Sequence, residues 1–258
     1  IYAVSNKTEQ AIASIQKSIE TKPTSLLYKN HLATLYYTNQ DFETALSILD
    51  SLINDNPDRI RPIEYKISAL KYRILTLTDS TDSEKDTDYY RREIITLLVA
   101  LLKNDPLNTS LLFEIAASYE RIKEYRECEK YFNNLIALDS SNHAALNYLG
   151  YTLVEQNIDL DRGLQLINKA LELDPDNIAY LDSKIWYFYL KGDYQQSLKY
   201  IQMMPQDAVH DEIIFEHFAQ VYRKLQKNQE EFESWTMVLK IAPDNKAALE
   251  YFKAYQNT

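Results

Sequence analysis

Glycine is nearly missing from this chain of 258 residues, which has three. That is about 1%, against a usual level of about 7%. Folds that depend on tight glycine turns are thereby disfavoured: dinucleotide-binding sheets, phosphate-cradling loops and many-stranded sandwiches. None of G-x-G-x-x-G, G-x-x-x-x-G-K or G-x-S-x-G occurs, so no phosphate cradle and no nucleophile elbow is written here. One cysteine, Cys128, excludes an internal disulfide and a cysteine-cluster metal site. Long apolar runs are also lacking. The greasiest, Ile94 to Leu102, is nine residues with a threonine inside and reads as a buried helix. Positive charge is short: 28 basic against 38 acidic residues give a net charge of -10, which argues against binding a phosphate backbone.

What is plentiful is repetition. Pro57, Pro106, Pro175 and Pro243 each follow an amphipathic helical pattern, in NDNPD, KNDPLN, ELDPDN and KIAPDN. Pro23 stands in a similar place, and Ser140 fills the slot 34 residues after Pro106. Proline cannot continue a helix, so these are regular helix stops. The pattern inside each period also recurs. Residues 26–59 carry Leu32, Ala33, Tyr36, Ala45, Leu49 and Leu52 before Pro57. Ile115, Ala116, Tyr119, Cys128 and Phe132 repeat it, as do Leu149, Gly150, Leu153, Gly163 and Ile167, with one extra residue near Asn157–Leu160. Phe218, Ala219, Tyr222, Trp235 and Val238 give it again. QDFE, KEYR and KGDY mark the turn inside a unit.

A period of 34 with this alternation of small and large residues resembles the tetratricopeptide repeat (TPR). The physical logic agrees. Each unit is two antiparallel helices that cross closely at a small residue, and one pair cannot cover its own apolar face, so pairs stack. The expected fold is all-α, a right-handed superhelical TPR solenoid forming a single array over residues 1–258. Six repeats are expected at about 26–59, 60–108, 109–142, 143–177, 178–211 and 212–245. Residues 1–25 read as a leading half-repeat or cap, with a helix over Asn6–Thr21, and residues 246–258 as a closing helix. The second repeat is longer by about 15 residues, and its polar excess, Asp79–Asp88, reads as a surface loop.

Residues 145–198 have a narrower resemblance, to bacterial TPR proteins that include envelope lipoproteins, some of them adaptors for a carboxy-terminal processing protease. Leu149–Gly150–Tyr151, the extra residue in Asn157–Asp161, Tyr180–Leu181–Asp182–Ser183 and Trp186 carry it. The departure is Lys184–Ile185, where that group has a Leu-Gly pair, so the helix crossing there is expected to widen. This resemblance implies a periplasmic or membrane-anchored envelope location.

In the family, positions 2, 5, 9 and 12 of each first helix line a concave groove. Carried over, they are Leu27, Asn30, Thr34 and Tyr37 in the first repeat, and Phe113, Ala117 and Glu120 in the third. Asn147, Tyr151 and Val154 follow in the fourth, and Asp182, Trp186 and Tyr189 in the fifth. The sixth adds Ile213, Glu216, Gln220 and Arg223; the second offers no clear register. Asparagine can both donate to and accept from a peptide backbone, and the aromatics can anchor apolar side chains at low entropy cost. The expected partner is a protein or peptide, with no cofactor and no enzymatic activity. The Lys and Arg spacing by which some TPR domains clamp a terminal carboxylate is missing: no Lys-x-x-x-Arg occurs.

Other constellations read as structure. Asp82, Glu84, Asp86, Asp88 and Glu93 approach a calcium-loop spacing, but Thr87 replaces the required glycine, which leaves an acidic surface loop and no metal. His210 and His217 lack the HExxH context and read as structural or exposed. Cys128 sits in the small-residue slot and reads as core. Two other classes compete with the scaffold: a module that self-associates through its terminal helices, and the repeat domain of a larger enzyme.

Overall fold

A computed structural model of the chain describes residues 2–55, 60–77, 83–205 and 209–255. Among these there are fourteen helices and no strand. They run α1 (Tyr2–Thr21), α2 (Leu26–Thr38), α3 (Phe42–Asp55), α4 (Ile60–Thr76), α5 (Ser83–Asn104), α6 (Thr109–Arg121) and α7 (Tyr125–Leu138). Then follow α8 (His143–Glu155), α9 (Leu160–Leu173), α10 (Ile178–Leu190), α11 (Tyr194–Met203), α12 (Glu212–Lys224), α13 (Asn228–Ile241) and α14 (Lys246–Tyr255). The contacts divide the chain into two compact units, Ile1–Tyr131 and Phe132–Thr258.

Side-chain caps set the helix starts. Asn108, Asn142 and Asn177 accept from the amides of Leu111, Ala145 and Ala179 at 3.0, 3.0 and 3.1 Å. Each satisfies one amide that the helix start leaves unpaired. The turn within a pair explains how a chain with so little glycine makes these bends. Gln40, Lys123, Asn157, Gly192 and Gln226 all have positive φ, between 51° and 78°. The next residue's amide reaches back five residues, as in Asp41 to the Tyr36 carbonyl and Glu124 to the Tyr119 carbonyl, both 2.9 Å. This helix-ending motif favours glycine, and only Gly192 supplies it. Lys123→Gly relieves about 1 kcal/mol of left-handed strain and returns about 0.5 kcal/mol to the unfolded chain. A small net gain, read as a higher urea midpoint with unchanged slope, is the expected result.

The crossing slots keep their spacing. Ala33 and Ala45, Ala116 and Cys128, and Ile185 and Ser197 are at most 1% exposed. Burial pushes the Cys128 thiol up to about 12, so it stays protonated and inert. Gly150 and Gly163 meet most closely: a Cβ on Gly163 would lie 2.8 Å from the Gly150 carbonyl oxygen. At the expected wide crossing, Ile185 is accommodated by Ser197, whose hydroxyl donates to the Ile185 carbonyl at 3.0 Å. Lys184 turns its ammonium over the Tyr200 ring, 4.8 Å from its centre. The sixth pair breaks the pattern. Opposite Ala219 (0% exposed) the slot holds Glu231, a carboxylate only 6% exposed.

The expected loop at Asp79–Asp88 needs correction. Asp79–Asp82 lie outside the described residues, and Ser83–Asp88 form the first turns of α5. Acidic side chains suit a helix start, and Asp88 pairs with Arg91 at 3.2 Å, one turn on. Asp86, Asp88 and Glu93 therefore lie on a helix rather than in a chelating loop. In the first unit Ile63, Ile67, Leu70, Ile94, Leu98 and Ile115 form one buried cluster. Beside it Lys66, 7% exposed, pairs with Asp50 of α3 and Glu93 of α5.

Candidate partner-binding cleft

In the second unit the first helices of successive pairs are α8, α10 and α12, and α14 stands where the next would begin. Two contacts show that α14 runs alongside α12 in the same direction. Asn245, just before α14, donates to Glu216 near the start of α12 at 2.6 Å. Farther along both helices, the Arg223 guanidinium lies over the Tyr251 ring, 5.7 Å from its centre. A cleft of about 510 Å³ opens on this face. Tyr189 of α10, Glu216, Gln220, Arg223 and Lys224 of α12, Trp235 of α13, and Ala247, Glu250 and Tyr251 of α14 line it.

An aromatic stack leads into the cleft. Trp186 lies nearly parallel to Tyr189, with ring centres 4.7 Å apart, and its other neighbour is His217 at 4.1 Å. The His217 Nδ1 is 2.9 Å from both carboxylate oxygens of Asp182, which fixes the ring beneath Trp186. A second stack, Trp235 on Tyr251 at 5.7 Å, belongs to the cleft itself. Burial, then the nearby Glu231 carboxylate, raise the pKa of the Tyr251 phenol, so the ring presents a neutral hydroxyl.

The residues expected in the groove meet different fates. Tyr189, Glu216, Gln220 and Arg223 come together in this one cleft. Asp182 does not face it openly; it is 6% exposed and spent on His217, so it is a support and not a contact. Asn147 is half-buried with an Oδ1 that has no partner, and the Tyr151 hydroxyl donates to Glu155 one turn on, at 2.9 Å. In the first unit Thr34 donates to the Asn30 carbonyl of its own helix, at 3.0 Å. Tyr37 is taken up by edge-on contacts with Phe42 and Tyr72, at 6.3 and 5.3 Å, so it packs rather than presents. Phe113 and Glu120 are half-buried on α6. Asn30, 8% exposed, borders a separate pocket of about 420 Å³ with Leu27, His31, Ile60, Arg61 and Tyr65. Ile60, Arg61 and Tyr65 are thus the α4 residues that face this pocket.

Sequence reasoning missed Lys224, Trp235 and the α14 residues. A signal for two of them existed. Stepping 34 residues on from Ile213 and Glu216 lands on Ala247 and Glu250. Among the described residues no group of three or more His, Cys, Asp or Glu side chains is placed to hold a metal ion. No helix among them is long and apolar enough to cross a membrane.

Comparison with known proteins agrees with the repeat pattern. The family model for the tetratricopeptide repeat matches residues 31–59. The chain as a whole has the helical-solenoid fold of tetratricopeptide repeat proteins. A Pseudomonas aeruginosa protein named TPR repeat-containing protein PA4667 is 34% identical over 101 residues, which are 39% of this chain and 17% of that protein. The Bacillus subtilis TPR repeat-containing protein YpiA is 24% identical over 204 residues, 79% of this chain and 44% of that one. The chain thus spans less than half the length of these curated relatives. The crystal structure of a tetratricopeptide repeat protein from Parabacteroides merdae superposes with a TM-score of 0.66 at 12% identity, covering 98% of this chain and 93% of that one. At that identity the likeness speaks for the TPR fold alone. TPR chains as a class are protein-interaction scaffolds and are generally not catalytic.

Proposed function

We propose that this TPR chain is a non-enzymatic scaffold or adaptor that binds a protein or peptide segment in the cleft between α12 and α14. One observation carries the reading: four groove residues assigned by position alone, Tyr189, Glu216, Gln220 and Arg223, converge on one open cleft. The Trp186–Tyr189 and Trp235–Tyr251 stacks supply rigid aromatic surface, which loses little entropy on binding and dominates interface energetics. Gln220 supplies an amide that can both donate to and accept from a main chain. The resemblance of residues 145–198 to envelope adaptors supports a bacterial envelope protein as the class of partner.

Phage-displayed random dodecapeptides, selected on the full chain, test this. Selected peptides are expected to bind at least about tenfold more weakly to Tyr189→Ala and Gln220→Arg, the scale of one interface hot spot. Lys240→Ala, on the exposed side of α13, is expected to leave binding unchanged. Equal binding to wild type, Tyr189→Ala and Gln220→Arg contradicts the reading.

A further inference from the structure

The cleft has two electrical ends. Glu216 and Glu250 hold equivalent places, 34 residues apart, on α12 and α14. Arg223 and Lys224 lie two turns farther along α12. Seven residues of helix separate Glu216 from Arg223, a rise of about 10 Å. Gln220 stands between them.

Arg223 is braced rather than merely exposed. Its Nε donates to Glu231 at 2.7 Å, and that carboxylate is the one that replaces the small residue of the crossing slot. The brace fixes the guanidinium over Tyr251 while its side chain stays 53% exposed. Among the described residues its two Nη groups have no partner, and they can take a carboxylate in two parallel hydrogen bonds. Trp235 lines the same cleft at 4% exposure, with its ring stacked beside Tyr251. At the other end Glu216 accepts from the neutral Asn245 amide, and among the described residues it has no ion-pair partner.

Resting on the scaffold reading above, we propose that the cleft selects an extended peptide segment with one acidic and one basic side chain three residues apart. The acidic group meets Arg223 and Lys224, and the basic group meets Glu216 and Glu250. In a polyproline II segment three residues make one turn and advance about 9 Å, so side chains three apart share a face at close to the separation along α12. Tyr189 and Tyr251 flank the segment, and Gln220 holds its main chain. The buried Glu231 serves as the positioning residue for Arg223.

The test uses three acetylated, amidated decapeptide pools with random Ala, Ser, Leu and Tyr around a fixed core. The cores are Lys-x-x-Glu, Glu-x-x-Lys and Gln-x-x-Gln, and binding to the full chain is read by competition in fluorescence anisotropy. One of the two charged pools, set by the direction in which the peptide lies, is expected to bind about tenfold more tightly than the Gln pool. Arg223→Gln and Lys224→Gln with Glu231→Gln removes the cationic end together with its brace, leaving no lone carboxylate in the core, and is expected to abolish the need for Glu in the pool. Glu216→Gln with Glu250→Gln keeps the acceptor for Asn245 and is expected to abolish the need for Lys. Equal binding of all three pools overturns the proposal, as does a charge preference that survives in both variants. If the Gln pool binds equally and Tyr189→Ala weakens it, the scaffold reading stands and the charge pattern fails. If no pool binds, both fail.

Discussion

Gly163→Leu is expected to lower the melting temperature of the chain by roughly 4–8 °C. The crossing of α8 and α9 leaves no room for a side chain. A Cβ at Gly163 would lie 2.6 Å from Val154 Cγ2 and 2.8 Å from the Gly150 carbonyl oxygen. One at Gly150 would lie 2.9 Å from the Gly163 carbonyl oxygen. Backbone oxygens cannot move without shifting a helix, and Val154 is itself fully buried. Overpacking of this kind costs about 3 kcal/mol, and for a chain of this size each kcal/mol is worth roughly 2–4 °C. The helix-propensity gain on replacing glycine, about 1 kcal/mol, does not offset it. Gly192→Ala is the control for glycine loss without crowding: nothing lies within 4 Å of its Cβ position, and only its positive φ of 78° opposes the change. Differential scanning fluorimetry of the two variants separates the effects. A Gly163→Leu chain that melts with wild type removes the close crossing from the account.

The second large effect is expected at Lys66. Its ammonium is 7% exposed and is held by Asp50 and Glu93. Burial opposes the charge, but the hydrogen bonds that the ammonium donates to Asp50 and Glu93 outweigh it and raise the pKa above the usual lysine value. Removing both carboxylates, Asp50→Ala with Glu93→Ala, strands a buried cation and is expected to cost about 3–5 kcal/mol. Adding Lys66→Met to that pair is expected to return most of the loss, because the buried charge is then gone. Urea unfolding of the double and triple variants measures both. The pH dependence follows from the direction of the shift. The folded chain holds this proton more tightly than the unfolded one, so the stabilisation is complete below about pH 10 and is lost as pH rises past the ordinary lysine range. The triple variant is expected to lack that alkaline loss. A double variant as stable as wild type shows that the ion pairs contribute nothing net.

The fold was legible because its punctuation lies in the chain. Asn caps, proline stops and small residues at fixed spacing are local signals, and a period of 34 multiplies each of them. The candidate cleft was legible only in part. Position along a helix predicts which way Tyr189, Glu216, Gln220 and Arg223 point, since 3.6 residues per turn fix the face. It does not predict which side chains are consumed by neighbours from another repeat. Asp182 was assigned outward, yet His217, 35 residues later, draws it into the packing. Tyr37 is likewise claimed by Phe42 and Tyr72. The helical start of α5 was hidden because acidic and serine-rich composition suits both a loop and a helix N-terminus. Glu231 was visible and unread. A carboxylate twelve residues after Ala219, in a slot held elsewhere by Ala45, Cys128 and Ser197, announces a partner such as Arg223.

The central claim is that a partner segment lies against α12 on the cleft side. Photo-cross-linking tests it most directly. Benzoylphenylalanine is placed at position 220, inside the cleft, or at position 240, on the exposed side of α13, and each chain is irradiated with the tightest selected peptide. The account predicts a cross-linked peptide from position 220 and none from position 240. Cross-linking from position 240 and not from position 220 would contradict it and move the binding surface to the outer helices.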